Sequence, residues 1–208
     1  MDPILIETPA STSSAAEQSS AARIGAVLFR NRGWLPVPLL AVLLLVPATM
    51  SVRTTSVGLV LMVLGEWWRM WGVATAGTVT RRRSREVEKL VEHGPFGWSR
   101  NPLYVGNFVI WIGVITISGV LWFVPIAVAL FAIEYYYIVR YEEGVLESIF
   151  GAEYLAYKSR VPRWFPRPPT TATDGALYWG EAWRSELSTF LQYAVLLGLF
   201  FARDRWLP

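Results

Sequence analysis

The run from Leu103 to Arg140 is almost wholly apolar and is punctuated by one turn signal, Ser118-Gly119. A bilayer-spanning helix needs about 20 apolar residues, so this run is too long for one crossing. It reads as a helical hairpin, with arms Leu103 to Ile117 and Val120 to Val139. The first arm is short, which implies a tilted or partial span. Three further runs fit the same solvent: Trp34 to Met50 with its three prolines, Thr55 to Ala76, and Leu187 to Phe201. The expected fold is all-α, an integral membrane bundle of about five transmembrane helices with a hairpin and a cytosolic C-terminal cap.

Composition supports a bilayer as solvent. Charged residues make up 17% of the chain, against about 25% in soluble domains. The chain has no cysteine and one histidine, His93. Disulfides, cysteine nucleophiles, thiolate metal sites and histidine-rich metal sites are thereby excluded. The net charge is +3, and its arginines cluster beside apolar runs. That pattern suits an anionic leaflet rather than nucleic acid.

Residues 1–22, rich in Ser, Ala and Thr, read as a disordered tail without the pattern of a signal peptide. Residues 23–208 read as one membrane domain. Glu66 and Arg69 share a helix face within the second run and read as a structural ion pair facing the bundle interior. Tyr141 to Arg160 reads as an interfacial helix broken near Gly151, Val161 to Pro169 as a turn, and Leu177 to Ser188 as amphipathic. The basic segments after the second run, including Arg81-Arg82-Arg83-Ser84-Arg85, and after the hairpin lie on one side. The positive-inside rule makes that side the cytoplasm. All the larger polar segments converge there.

Two clusters flank the hairpin. Before it stands Arg100-Asn101-Pro102. Asn101 suits an N-cap and Pro102 a first helical turn. Such a helix start offers backbone N–H groups and a positive dipole end, and Arg100 adds a fork for a carboxylate. After the hairpin, Glu142 and Glu143 place two carboxylates at the same membrane level, suited to a sulfonium or ammonium. Together they match a zwitterion such as S-adenosylmethionine. The competing reading is that Arg100 and the two glutamates simply pair with each other.

Here the sequence resembles the isoprenylcysteine carboxyl methyltransferase and phospholipid methyltransferase group of membrane enzymes. The resemblance rests on Leu90, Val91 and Gly94; Arg100, Pro102, Tyr104 and Gly106; Glu142-Glu143; and Phe150, Gly151, Tyr154, Tyr157, Val161 and Pro162, in that order around the hairpin. It covers a core of residues 88–166 and leaves 170–208 as an unmatched extension. It implies a cofactor site for S-adenosylmethionine made of Gly94, Arg100, Asn101, Pro102, Tyr104, Gly106, Glu142 and Glu143. Arg100, Glu142 and Tyr104 are the implied catalytic residues, and Gly94 and Gly106 would admit close backbone approach. Tyr154 and Tyr157 read as packing residues of the cap, and His93 as interfacial. Asn101 replaces the family histidine, and Glu88 stands where prenylcysteine enzymes have one. Both departures weaken prenylcysteine as acceptor more than they weaken methyl transfer.

The implied reaction is in-line transfer of a methyl group to an oxygen or nitrogen of a lipid or isoprenoid-type acceptor at the cytosolic face of a membrane, taken to be a bacterial inner membrane. Arg140 and Arg163 are candidate anchors for an anionic headgroup. Two alternatives stand beside it. One is an NADPH-dependent membrane reductase resembling sterol reductases, and the other is a non-catalytic membrane protein. The oligomeric state is not readable from the sequence.

Overall fold

A computed structural model describes residues 9–77, 89–169 and 174–206. The basic run Arg81 to Arg85, Glu88 and residues 1–8 of the expected tail lie outside the described residues. The described part is all helical. In chain order it contains α1 (Pro9–Asn31), α2 (Pro36–Leu45), α3 (Val52–Ala76), α4 (Pro102–Ser118), α5 (Val124–Phe150), α6 (Ala152–Arg160) and α7 (Trp179–Trp206). Three described helices are long and apolar enough to span a membrane: α3, α5 with the short turn before it, and α7. A fourth span results if α1 and α2 are counted as one bent span. These give three or four spans by length and composition, with α4 a further, shorter apolar helix beside the expected count of about five.

Local chemistry explains the boundaries. Ser51 caps α3: its hydroxyl accepts from the Thr54 amide at 3.1 Å, and the Thr54 hydroxyl accepts from the Ser51 amide at 3.1 Å. The expected straight span Trp34 to Met50 is instead the short α2, inclined by 58° to the end of α1. Pro36 and Pro38 begin α2, and extended backbone at Val46, before Pro47, ends it. Helix α1 begins at Pro9, within the stretch read as a tail. The hairpin turn falls at Gly119, whose φ of 79° is accessible to glycine without strain. The expected break at Gly151 is present. The residues before it are not a separate interfacial helix, however, because α5 runs unbroken through Phe150. Likewise the amphipathic segment and the last apolar run are one helix, α7, since no Gly-Pro or polar break separates them.

The tightest packing is between α3 and α4. Gly58, Gly65 and Gly72 recur at heptad spacing on α3, and Gly106 and Gly113 do the same on α4. A Cβ on Gly65 would lie 2.8 Å from the Gly106 carbonyl oxygen, and one on Gly106 2.8 Å from that of Gly65. Gly58 and Gly113 face each other in the same way, at 2.6 and 2.7 Å. Small residues that let helix backbones touch are the usual means of membrane helix association. Helix α5 packs chiefly on α1 rather than on its hairpin partner. The hairpin is therefore splayed, and α2 fits beside the gap between its arms.

Helix α7 is held at both ends. Arg69 donates to Glu66 at 2.9 Å and also to Glu186 of α7, and the Tyr193 hydroxyl donates to Glu66 at 2.8 Å. The expected Glu66–Arg69 pair is present and faces the interior, enlarged by two α7 residues. At the other end, buried Arg203 donates to the carbonyls of Leu43, Ala48 and Ser118, where the ends of α2 and α4 leave acceptors open. The Met50 amide donates to Asp204 at 2.8 Å.

Candidate active site

The predicted site residues fall into two groups at the hairpin ends. The first is a clamp. Glu143, buried at 5% exposure, takes Arg100 at 3.0 Å and Arg163 at 2.7 Å on its two oxygens. Arg100 also donates to the carbonyls of Lys158 at 2.8 Å and Val161 at 2.9 Å, and its amide donates to the Pro162 carbonyl. Its guanidinium is thereby committed to protein partners. The anion fork expected at Arg100 is spent on fastening α6 and the segment after it to the start of α4.

Asn101 occupies the N-cap position of α4, but its side chain makes no cap bond. Its amide nitrogen donates instead to the Arg163 carbonyl at 3.1 Å, beside the Ser99 hydroxyl, which donates to the same oxygen. Pro102 has no N–H, and the Tyr104 amide already donates to Asn101, so this helix start offers few donors to an anion. Both glycines assigned to the site admit close approach of α3 rather than open space. Gly106 lies against Gly65, and Gly94, with φ of 56°, lies against Thr75.

The cap itself is a packed unit. Tyr154 and Tyr157, at 1% and 3% exposure, cluster with Leu90, Phe150 and Val161. The Tyr157 hydroxyl donates to the Phe96 carbonyl at 2.8 Å. Burial pushes both phenols well above their ordinary titration range. They serve packing, as their spacing suggested. His93 lies on the surface of this region, with a ring nitrogen 3.3 Å from the Ala176 carbonyl oxygen.

The second group centres on Glu142. The Tyr104 hydroxyl donates to Glu142 at 2.8 Å, joining the start of α4 to α5. Among the described residues, no other hydrogen-bond partner reaches this carboxylate. Arg32, at the end of the α1–α2 bend, acts electrostatically on Tyr104, Tyr135 and Glu142 while its guanidinium covers the Phe29 ring at 3.9 Å. From Tyr104 an aromatic ladder descends into the bundle. Tyr135 lies at 4.4 Å between ring centroids, Phe131 stacks on Tyr135 at 4.1 Å, and Phe108 lies 4.9 Å from Phe131. The ladder forms one wall of a cleft between α2, α4 and α5, whose other lining includes Pro36, Leu39, Trp111 and Glu134.

Of the two proposed headgroup anchors, Arg163 is engaged by Glu143, and Arg140 is exposed, donating to the Tyr136 hydroxyl at 2.8 Å. Sequence reasoning missed Arg32 and Glu134. The rule that marked Glu66, an ionisable side chain inside an apolar run, applied equally to Glu134. Nothing in the sequence brought Arg32 to Glu142, because that approach depends on the bend between α1 and α2.

Comparison with known proteins points to the same family of enzymes. The phospholipid methyltransferase family model matches residues 53–153. Mouse protein-S-isoprenylcysteine O-methyltransferase is 34% identical over 120 residues, covering 54% of this chain and 41% of the mouse protein. Arabidopsis thaliana protein-S-isoprenylcysteine O-methyltransferase B is 34% identical over 118 residues, 52% of this chain and 57% of the plant protein. A nickel-cobalt-cadmium resistance protein of Alcaligenes xylosoxydans xylosoxydans is 32% identical over 117 residues, 56% of this chain and 52% of its own. The chain thus spans roughly half the length of these relatives. No solved structure matches it. Through its α3–α5 core, the chain is similar to the phospholipid methyltransferase family.

Proposed function

We propose that the protein transfers a methyl group from S-adenosylmethionine to a lipid or isoprenoid-type acceptor, at the cytosolic face of a bacterial inner membrane. The observation that carries the proposal is the Tyr104–Glu142 pair, 2.8 Å across, with Arg32 within electrostatic reach and a largely apolar cleft nearby. The residues fit a zwitterionic cofactor. Glu142 offers a carboxylate to its ammonium and sulfonium, and Arg32 a guanidinium to its carboxylate. When bound, S-adenosylmethionine supplies an electrophilic methyl group. Everything else falls to positioning, water exclusion and charge.

The chain's own groups suit that division of labour. Tyr104 holds the Glu142 carboxylate by one oxygen and leaves the other for a ligand. Arg32 balances the charge of Glu142 in surroundings where an isolated carboxylate would be costly. The aromatic ladder excludes water and guides an apolar tail arriving from the side, as the splayed arms of the hairpin allow. The clamp of Arg100, Glu143 and Arg163 acts at one remove, by fixing the cap against the helix start that carries Tyr104.

The test is calorimetric binding of S-adenosylmethionine to detergent-purified protein, with NADPH in parallel. Micromolar binding of S-adenosylmethionine, weakened at least tenfold in Glu142→Gln and Arg32→Gln variants of unchanged melting temperature, is the expected result. Binding of NADPH alone, or of neither, by the folded wild type overturns it.

A further inference from the structure

Glu134 is unlike the other charged groups within the spans. Glu66 and Glu186 share Arg69, Glu142 takes Tyr104, Glu143 takes two arginines, and Arg203 takes three carbonyls. Glu134 is half-buried in the middle of α5 and lines the cleft between α2, α4 and α5. Among the described residues it makes no hydrogen bond or ion pair. Its named neighbours around the cleft, Pro36, Leu39, Phe108, Trp111 and Phe131, are apolar or aromatic. A carboxylate within a span is costly, and such groups are kept where they meet a partner.

The position of the cleft indicates which partner. Glu134 precedes Glu142 by two helical turns and lies about 12 Å from it along the axis of α5, at 1.5 Å per residue. The next residue, Tyr135, is the rung that touches Tyr104. The cleft therefore adjoins the Tyr104–Glu142 pair through the Tyr135 ring, and a chain molecule lying along the ladder passes Glu134. Among the described residues no cation pairs with the carboxylate, so a second carboxylate in the cleft would be repelled and an ammonium attracted.

We propose that Glu134 is a specificity-determining residue and that the cleft takes a long-chain amine, its ammonium paired with Glu134, in preference to a long-chain carboxylate. The binding stands apart from the methyl-transfer proposal, because an ammonium held at Glu134 lies two helical turns from Glu142.

Thermal unfolding of the detergent-purified full chain tests it, with hexadecylamine, hexadecanol and palmitate as probes at matched concentration. Hexadecylamine at about ten times its dissociation constant raises the wild-type melting temperature by about 3 °C, and the other two do not. Glu134→Gln, close to isosteric, keeps the unliganded melting temperature and the binding of S-adenosylmethionine but loses the amine shift. Equal shifts with all three probes, or an amine shift that survives in Glu134→Gln, overturn the proposal. Because S-adenosylmethionine binding is measured separately on the same samples, failure of the cleft assignment and failure of the methyl-transfer reading are distinguishable.

Discussion

Glu143 binds Arg100 and Glu142 binds Tyr104, so two neighbouring carboxylates on α5 hold different partners at the start of α4. The pair conserves charge at one membrane level but divides its work between holding the cap and facing the cleft. Substitutions at adjacent positions should therefore have unlike consequences.

Removing Arg100 leaves Glu143 with Arg163 alone and opens two carbonyls of the cap. Loss of one partner from a buried pair typically costs about 3–5 kcal/mol. Arg163 still screens the carboxylate, so the low end applies. Arg100→Ala is expected to lower the melting temperature and raise protease sensitivity after Gly151. Glu142→Gln is expected to leave both unchanged while abolishing methyl transfer. Differential scanning fluorimetry and limited proteolysis separate the two.

The glycine contacts between α3 and α4 leave no room for a side chain. Gly65→Leu forces the backbones apart at the Gly106 carbonyl, and overpacking of this kind costs about 1–3 kcal/mol or more. Gly144, whose added Cβ would meet nothing within 4 Å, is the control, although Gly144→Ala lies within a helix. A large fall in yield and melting temperature for the first and none for the second is expected.

Arg69 lies between Glu66 and Glu186. Glu186→Gln should detach the start of α7 only partly, because Tyr193 still reaches Glu66. Arg69→Met leaves two buried carboxylates facing each other and should be the worse of the two. The triple substitution Glu66→Gln, Arg69→Met, Glu186→Gln is expected to recover much of the loss, as apolar or neutral replacements of buried ion groups often do. Melting temperatures of the four proteins decide it.

Tyr157 is buried, and its phenol is held well above the ordinary value of 10.0, mainly by burial. A raised folded-state value means that its stabilising effect is fully present below about pH 10 and is lost as pH rises beyond that toward the folded value. The wild type should lose stability above pH 10 more steeply than Tyr157→Phe. The variant should start about 1 kcal/mol lower at neutral pH, for the lost hydrogen bond to Phe96. Unfolding measured from pH 7 to 11 shows whether the curves converge.

Much of this was readable beforehand. The hairpin turn at Ser118-Gly119, the break at Gly151, the interior Glu66–Arg69 pair and the packing of Tyr154 and Tyr157 all follow from periodicity and turn chemistry. Hydropathy could not say which helix each arm would choose as neighbour. The arm beginning at Leu103 packs on α3 because glycines match across the pair, and matching of that kind is a property of two distant segments together. The role of Arg100 was legible as two alternatives, ligand fork or internal clamp. Only the carbonyls of Lys158 and Val161, brought in by the fold of the cap, favoured the second.

The facing glycines also limit how the molecule can move. Sliding α4 by one turn along α3 would carry Leu103 or Ile110 into a hole sized for a hydrogen atom, so the two helices have a single register and behave as one beam. Tyr104 rides on that beam. Any widening of the cleft to admit or release a chain-bearing molecule must then come from the opposite bank, where α5 leans on α1 and the chain bends between Asn31 and Pro36.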